Sequence, residues 1–271
     1  MIRYGTLMAP GSGLGFWYQF GQLKGLFSHP TTTTTTKYNT PILPHDVRSI
    51  GVSAGALALG LVRSGCTFED CFKGALKASQ EITGNEEGKL SLTSGRSQVL
   101  HIVDRWLEYC LPQDIDITST VRGLHLVTLT SNLQHITLTC ATRKNVIGGV
   151  IETREDFKDA LVAATSIPFL LATKPKIVAG RLKCYDACRY DPAVSHLRIS
   201  SPPVRSANPA VAIEMYEKGY VSGMKKLNNG LLCRTQCLHE LEKELPFSSS
   251  SAFRSMKTAT FDFKYLRSLI S

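Results

Sequence analysis

Apolar and polar positions along the chain change period several times, and each change marks an element. Ile2 to Ala9 is mostly apolar and reads as a strand, closed by the glycine-rich turn Pro10 to Gly15. Phe16, Phe20, Leu23 and Phe27 then recur at helical spacing, which predicts an amphipathic helix with an aromatic stripe facing a core. His29-Pro30 ends it. The threonine run from Thr31 to Thr36, with Pro41 and Pro44, makes residues 30–45 a low-complexity loop insertion. Val47 to Val52 reads as a short buried strand and Ala54 to Val62, rich in alanine and leucine, as a helix.

The same reading carries on downstream. Phe68 to Ile82 is a second helical stretch, Thr83 to Gly88 a polar break, and Val99, Ile102, Val103, Trp106 and Cys110 mark a third helix. Leu124 to Thr130 and Gln134 to Cys140 flank the turn signal Ser131-Asn132, predicting an antiparallel strand pair. A short strand is expected near Val146 to Ile151, then a helix through Phe157, Leu161 and Ala164 stopped by Pro168. Arg181 to Tyr185 reads as a strand leading to Asp186, and Ile213, Tyr216, Tyr220, Met224 and Leu227 predict a last helix over 208–227. Strands alternating with helices indicate an α/β layered domain. Residues 229–271 form a tail with less pattern, in which Glu240 to Glu244 is helical and Ser248 to Ser251 a linker.

Composition narrows the class. With 271 residues, 43% hydrophobic and 20% charged, the chain can bury a sizeable core. No run of about 18 apolar residues is present, and the N-terminus lacks the basic, apolar and small-residue regions of a secretory signal, so a cytoplasmic protein is expected. The eight cysteines are dispersed and read as reduced thiols, with neither a disulfide framework nor a metal-ligand set assigned to them. A net charge of +9 favours anionic partners, such as the surface of an acidic membrane touched from its periphery. No nucleic-acid-binding signature accompanies it, and nucleic acid is not an expected partner.

The candidate chemistry lies in Gly51-Val52-Ser53-Ala54-Gly55, a G-x-S-x-G nucleophile elbow between a strand and a helix. Ser53 is the candidate nucleophile. One helix upstream, the loop of Gly11, Ser12, Gly13 and Leu14 opens a helix, where backbone N–H groups converge on an anion or a developing oxyanion. A nucleotide phosphate site is the rival, yet the loop lacks the Gly-Lys-Ser/Thr of a Walker motif and has Phe16 where a dinucleotide fingerprint needs glycine. The base is less plain: the seven histidines carry no local signature. Ser53, Asp186 and either His196 or His239 satisfy the chain order of an α/β-hydrolase triad, although 52 residues before the serine leave room for fewer strands than that fold places there.

Taken together, these segments resemble a known family. Gly11-Ser-Gly-Leu-Gly-Phe-Trp-Tyr-Gln-Phe-Gly-Gln-Leu-Lys-Gly-Leu26 is similar to the opening of the patatin-like phospholipases, and Ile50-Gly-Val-Ser-Ala-Gly-Ala-Leu57 is similar to their elbow. Thr153 to Phe169, ending in Thr-Ser-Ile-Pro-Phe, resembles the family's helix before a small-residue Ile-Pro stretch. Tyr185-Asp186-Ala187-Cys188 falls where the family carries Asp-Gly-Gly or Asp-Gly-Ala; Asp191-Pro192 resembles its Asn-Pro, and Ala212 to Tyr220 its late helix. The resemblance covers residues 4–228 and implies a patatin-like three-layer α/β/α domain with a mainly parallel central sheet.

It also implies a mechanism: a Ser–Asp dyad in which Ser53 attacks an acyl ester, Asp186 is the base, and the amides around Gly13 and Leu14 hold the oxyanion, with Gly51 and Gly55 shaping the elbow. The expected activity is phospholipase A-type hydrolysis of phospholipid or another acyl-ester lipid, with no metal or diffusible cofactor. A free aspartate, with a pKa of about 3.9, is a poor base, so such a site must hold the pair within hydrogen-bond reach in a partly desolvated pocket. Two departures are visible. Gly15 and Phe16 replace the usual basic residue and final glycine of the loop, and Ala187 replaces the glycine after Asp186, where a left-handed backbone would strain it. A catalytically impaired protein that keeps the fold and binds lipid or membrane surfaces is the alternative.

Overall fold

The computed structural model describes residues 6–28, 43–83, 96–132, 134–140, 150–168, 171–172, 174–187, 197–202 and 208–228. All lie within one unit, Met1–Leu238. The expected loop at 30–42, the polar break at 84–88 and the tail at 229–271 fall outside the described residues.

In chain order the elements are β1 (Leu7–Ala9), α1 (Phe16–Leu26), β2 (Ser49–Val52), α2 (Ala54–Arg63), α3 (Phe68–Thr83), α4 (Arg96–Cys110), α5 (Ile117–Val121) and β3 (Leu124–Thr130). There follow β4 (His135–Cys140), β5 (Val150–Ile151), α6 (Arg154–Thr165), β6 (Lys176–Val178), β7 (Leu182–Asp186), β8 (Leu197–Arg198) and α7 (Pro209–Asn228). The predicted helices and the β3–β4 hairpin stand close to where their periods place them. No described helix is long and apolar enough to cross a membrane.

The strands form one mixed sheet in the order β5-β4-β3-β2-β1-β8, with parallel pairing from β3 through β8 and antiparallel pairing of β4 to β3. The fold is thus α/β with a mostly parallel centre. A branch at β3 places the rest. Val127 pairs with Thr137 of β4 on one side and Val52 of β2 on the other, while Thr128 pairs with Ile136 of β4 and with Asp186 of β7. A residue has only two edges, so β2 and β7 share the same edge of β3. They arrive from opposite directions, and the end of each faces the end of the other on neighbouring rungs.

Alternation along the strands sorts side chains onto two faces. Leu7, Ala9, Leu124, Leu126 and Cys184 point into a large core, to which every described helix contributes. Met8, Val52, Val127 and Leu129 form a smaller buried cluster on the opposite face, with Ala187 beside them. Of the three layers expected, the described residues supply the sheet and one helical layer. The centre of that layer is α2, all ten residues of which are buried. Arg63 closes α2 by donating hydrogen bonds to the carbonyls of Pro44, Val47, Thr120 and Arg122, tying the segments that lead into β2 and β3 to one helix end.

The tightest helix contact joins α1 to α7. A Cβ on Gly21 would lie 2.1 Å from the Tyr216 carbonyl oxygen, and one on Gly25 would lie 2.1 Å from that of Tyr220. The approach is reciprocal, since a Cβ on Gly219 or Gly223 would meet the Tyr18 or Gln22 carbonyl at the same 2.1 Å. Each helix presents Gly-x-x-x-Gly to the other, and backbone packs on backbone as in close crossings of membrane helices. Gln22 fixes the crossing further, donating from Nε2 to Ser222 Oγ at 2.7 Å and accepting from the Ser200 amide at 3.1 Å. This contact holds α1, and with it the glycine loop at its start.

Candidate active site

β2 delivers Ser53 into a tight elbow. Its backbone stands at φ 53°, ψ −132°, a conformation that costs a non-glycine residue of order 1–3 kcal/mol. The surroundings enforce it. A Cβ on Gly51 would lie 2.6 Å from Ala56 Cα, and one on Gly55 would lie 2.1 Å from the Ala9 carbonyl oxygen and 2.6 Å from that of Pro10. Only glycine at both positions lets the strand turn straight into α2 while α2 rests on the end of β1.

Ser53 is the N-cap of α2, yet its hydroxyl makes no capping bond. It donates instead to Asp186 Oδ2 at 2.7 Å across 133 residues of sequence. Oγ therefore stands at the positive end of a ten-residue helix, where negative charge is stabilised. Asp186 is fully buried and Ser53 is 8% exposed.

The partner is held as firmly. β7 pairs Asp186 with Thr128 of β3, and the Asp186 amide donates to the Ser166 carbonyl at 3.0 Å. Ser166 itself is buried at the end of α6, its hydroxyl bonded to the Val162 carbonyl at 2.7 Å. The start of α6 is fixed by a capping box between Thr153 and Asp156, worth about 1 kcal/mol. The Thr-Ser-Ile-Pro stretch thus has a role the sequence did not assign: its backbone positions Asp186. The left-handed strain anticipated at Ala187 does not arise. Among the described non-glycine residues only Ser53 and Ala179 have positive φ, so alanine fits where glycine was expected.

The loop 11–15 follows directly on the Ala9 and Pro10 carbonyls against which Gly55 packs. Gly13 takes φ +50°, with nothing within 4 Å of where a Cβ would be. Gly13 to Gly15 form a short 3-10 turn that runs into α1, and the amides at the head of such a turn have no acceptor within it. Gly15 replaces the bulkier residue anticipated there because Ser201 is packed against it; a Cβ would lie 1.9 Å from Ser201 Oγ. Buried Gln19 of α1 donates to the Pro10 carbonyl at 3.0 Å and ties the loop to the helix.

The structure thus joins Ser53 to Asp186 directly, with Gly51 and Gly55 in the elbow, and places Gly11, Ser12, Gly13 and Leu14 in the loop between β1 and α1. His196 and His239, the triad alternatives, lie outside the described residues. Two clefts open near the far end of α2, one of about 380 Å3 beside Asp114 and Asp116 and one of about 510 Å3 beside Lys24 and Tyr216; Ser53 lines neither. One group of metal-ligating side chains occurs among the described residues, Cys66, Cys71 and Cys110, and it includes neither Ser53 nor Asp186. Two residues before Asp186 in β7, burial pushes the Cys184 thiol up. Compared with models of protein families, with curated proteins and with solved structures, the chain matches none.

Proposed function

We propose that this chain is a patatin-like, serine-dependent lipid acyl hydrolase acting on phospholipid or a related acyl ester. The observation that carries the reading is the 2.7 Å hydrogen bond from Ser53 Oγ to Asp186 Oδ2, made by a serine in a strained elbow at a helix N-terminus. A structural serine at that position would cap its own helix; this one is directed to a buried carboxylate instead.

In the proposed reaction Ser53 Oγ attacks the ester carbonyl carbon as its proton passes to Asp186 Oδ2. The amides of Gly13 and Leu14 receive the oxyanion, and the positive end of α2 favours the negative charge that develops around Oγ. Collapse of the tetrahedral intermediate expels the alcohol, which takes the proton from Asp186. Water, activated by the same carboxylate, then releases the fatty acid from Ser53. The net charge of +9 supports adsorption to anionic lipid.

The test is hydrolysis of short-chain esters and of phospholipid vesicles by the purified protein. Wild type releases fatty acid and is labelled at Ser53 by a fluorophosphonate, Ser53→Ala does neither, and Asp186→Asn loses both by at least 100-fold. Equal turnover by wild type and Ser53→Ala refutes the assignment. Vesicle binding without turnover of any ester identifies instead the impaired, lipid-binding form of the fold.

A further inference from the structure

We propose that Cys66, Cys71 and Cys110 form a three-thiolate site for one thiophilic d10 cation of the copper(I) class. The three Sγ atoms lie within 4.8 Å of one another, all are free thiols, and all three residues are buried. A cation bound to three sulfurs in a plane, with metal–sulfur bonds of about 2.3 Å, spaces those sulfurs about 4.0 Å apart. The cluster needs to close by less than about 1 Å to meet that geometry, a shift within the reach of side-chain rotation.

Separate elements hold the thiols in place. Cys66 lies between α2 and α3, its amide bonded to the Leu61 carbonyl at 3.1 Å. Cys71 lies in the first turn of α3, and its carbonyl accepts from Trp106 Nε1 of α4 at 2.7 Å, one turn before Cys110 closes that helix. Helices α3 and α4 lie close here, since a Cβ on Gly74 would be in contact with Trp106, Tyr109 and Cys110 at 3.3–3.7 Å. Cys66 Sγ also lies 3.2 Å from the Cys110 carbonyl oxygen, an S–H donor contact when the thiol is protonated. The site is pre-organised by the same packing that stabilises the helical layer.

The donor set points to the metal class. Among the described residues no histidine or carboxylate joins the three sulfurs, and their burial leaves little room for water to complete a tetrahedron. Zinc in structural sites is tetrahedral, whereas soft, monovalent copper accepts three thiolates. The three thiols must lose their protons to act as thiolate ligands. Their protons leave to solvent as the metal enters. The 510 Å3 cleft lined by Lys24, Gly65 and Tyr216 reaches the residue next to Cys66 and offers a way in.

The experiment is an anaerobic titration of the reduced, full-length protein with copper(I) buffered by bicinchoninate. Wild type is expected to withdraw one equivalent and to melt at a higher temperature when loaded. Cys66→Ala, Cys71→Ala and Cys110→Ala each weaken copper binding at least 100-fold, and Cys184→Ala, which removes a buried thiol outside the cluster, leaves it unchanged. X-ray absorption of copper-loaded wild type, which needs no variant, shows three sulfur neighbours at about 2.3 Å. Failure to withdraw copper, nitrogen or oxygen in the copper shell, equal binding by the cluster variants, or preferential capture of zinc by the same thiols overturns the proposal.

Discussion

Replacing Ser53 by glycine and, separately, by alanine divides backbone strain from chemistry at one position. Both variants remove Oγ and its bond to Asp186, so that loss cancels in the comparison. What remains is the backbone at φ 53°, ψ −132°, close to the region that is essentially glycine's own, where a Cβ costs about 2–3 kcal/mol. Against this, glycine gives up about 0.4–1 kcal/mol through the freer unfolded chain and about 0.8 kcal/mol of methyl burial. Ser53→Gly should therefore be more stable than Ser53→Ala by about 1 kcal/mol. With a urea m-value of about 3 kcal/mol/M, suited to a chain of this size, the midpoints differ by about 0.3 M. Paired urea titrations followed by circular dichroism measure it, with ester turnover absent from both. An alanine variant as stable as the glycine variant, or more so, would show that the elbow stores no strain and that the account of Gly51 and Gly55 as its enforcers is wrong.

Other perturbations have equally definite outcomes. Gly25→Ala puts a methyl 2.1 Å from a carbonyl oxygen of α7 and should destabilise by about 2 kcal/mol, since overpacking against backbone outweighs a helix-propensity gain of about 1 kcal/mol. Gly74→Ala meets side-chain atoms at 3.3 Å and should be near neutral in the same melts; equal effects would discredit the close α1–α7 crossing. Glu108 pairs with Lys158 at 2.7 Å and Arg154 at 3.2 Å, and the Lys158 hydrogen bond is the main reason its carboxyl is held below the ordinary range. A depressed carboxylate pKa stabilises the fold above the unfolded value, about 4.3, and ceases to do so as pH falls through the folded one. Glu108→Gln should thus cost about 1 kcal/mol at pH 7 and nothing measurable at the acid end, and a pH-independent loss would argue against the ion pairs as its cause.

What the letters reveal follows from the range over which each signal acts. Helices α1, α2, α3, α4, α6 and α7 and the β3–β4 hairpin rest on local periodicity and turn chemistry, and the structure forms them near the expected places. β6, β8 and α5 went unseen because three, two and five residues cannot display a period. The partnership of Ser53 with Asp186 came from resemblance, since nothing local says that β7 will run back along the edge β2 has left. The strain expected at Ala187 is absent, because its φ is not positive; the left-handed residues near β7 are Ala179 and Gly180, in the turn before it. Two long-range features are present in the sequence as plain spacing. Gly21 with Gly25 and Gly219 with Gly223 spell close packing in both partner helices, and Cys66-x4-Cys71 at a helix start gathers with Cys110 despite looking scattered.

The meeting of β2 and β7 on one edge of β3 makes the dyad a gauge of strand alignment. Val52 faces Val127 and Asp186 faces Thr128, so one β3 edge serves as the common ruler for Ser53 and Asp186. Sliding β7 by one residue would carry the carboxylate about 3.3 Å and turn it to the other side of the sheet, leaving Tyr185 or Ala187 opposite Thr128. An inserted or deleted residue in the β6–β7 turn can therefore silence the site while leaving every side chain of the dyad intact. The length of that turn, more than its composition, is what keeps Asp186 opposite Thr128 and within reach of Ser53.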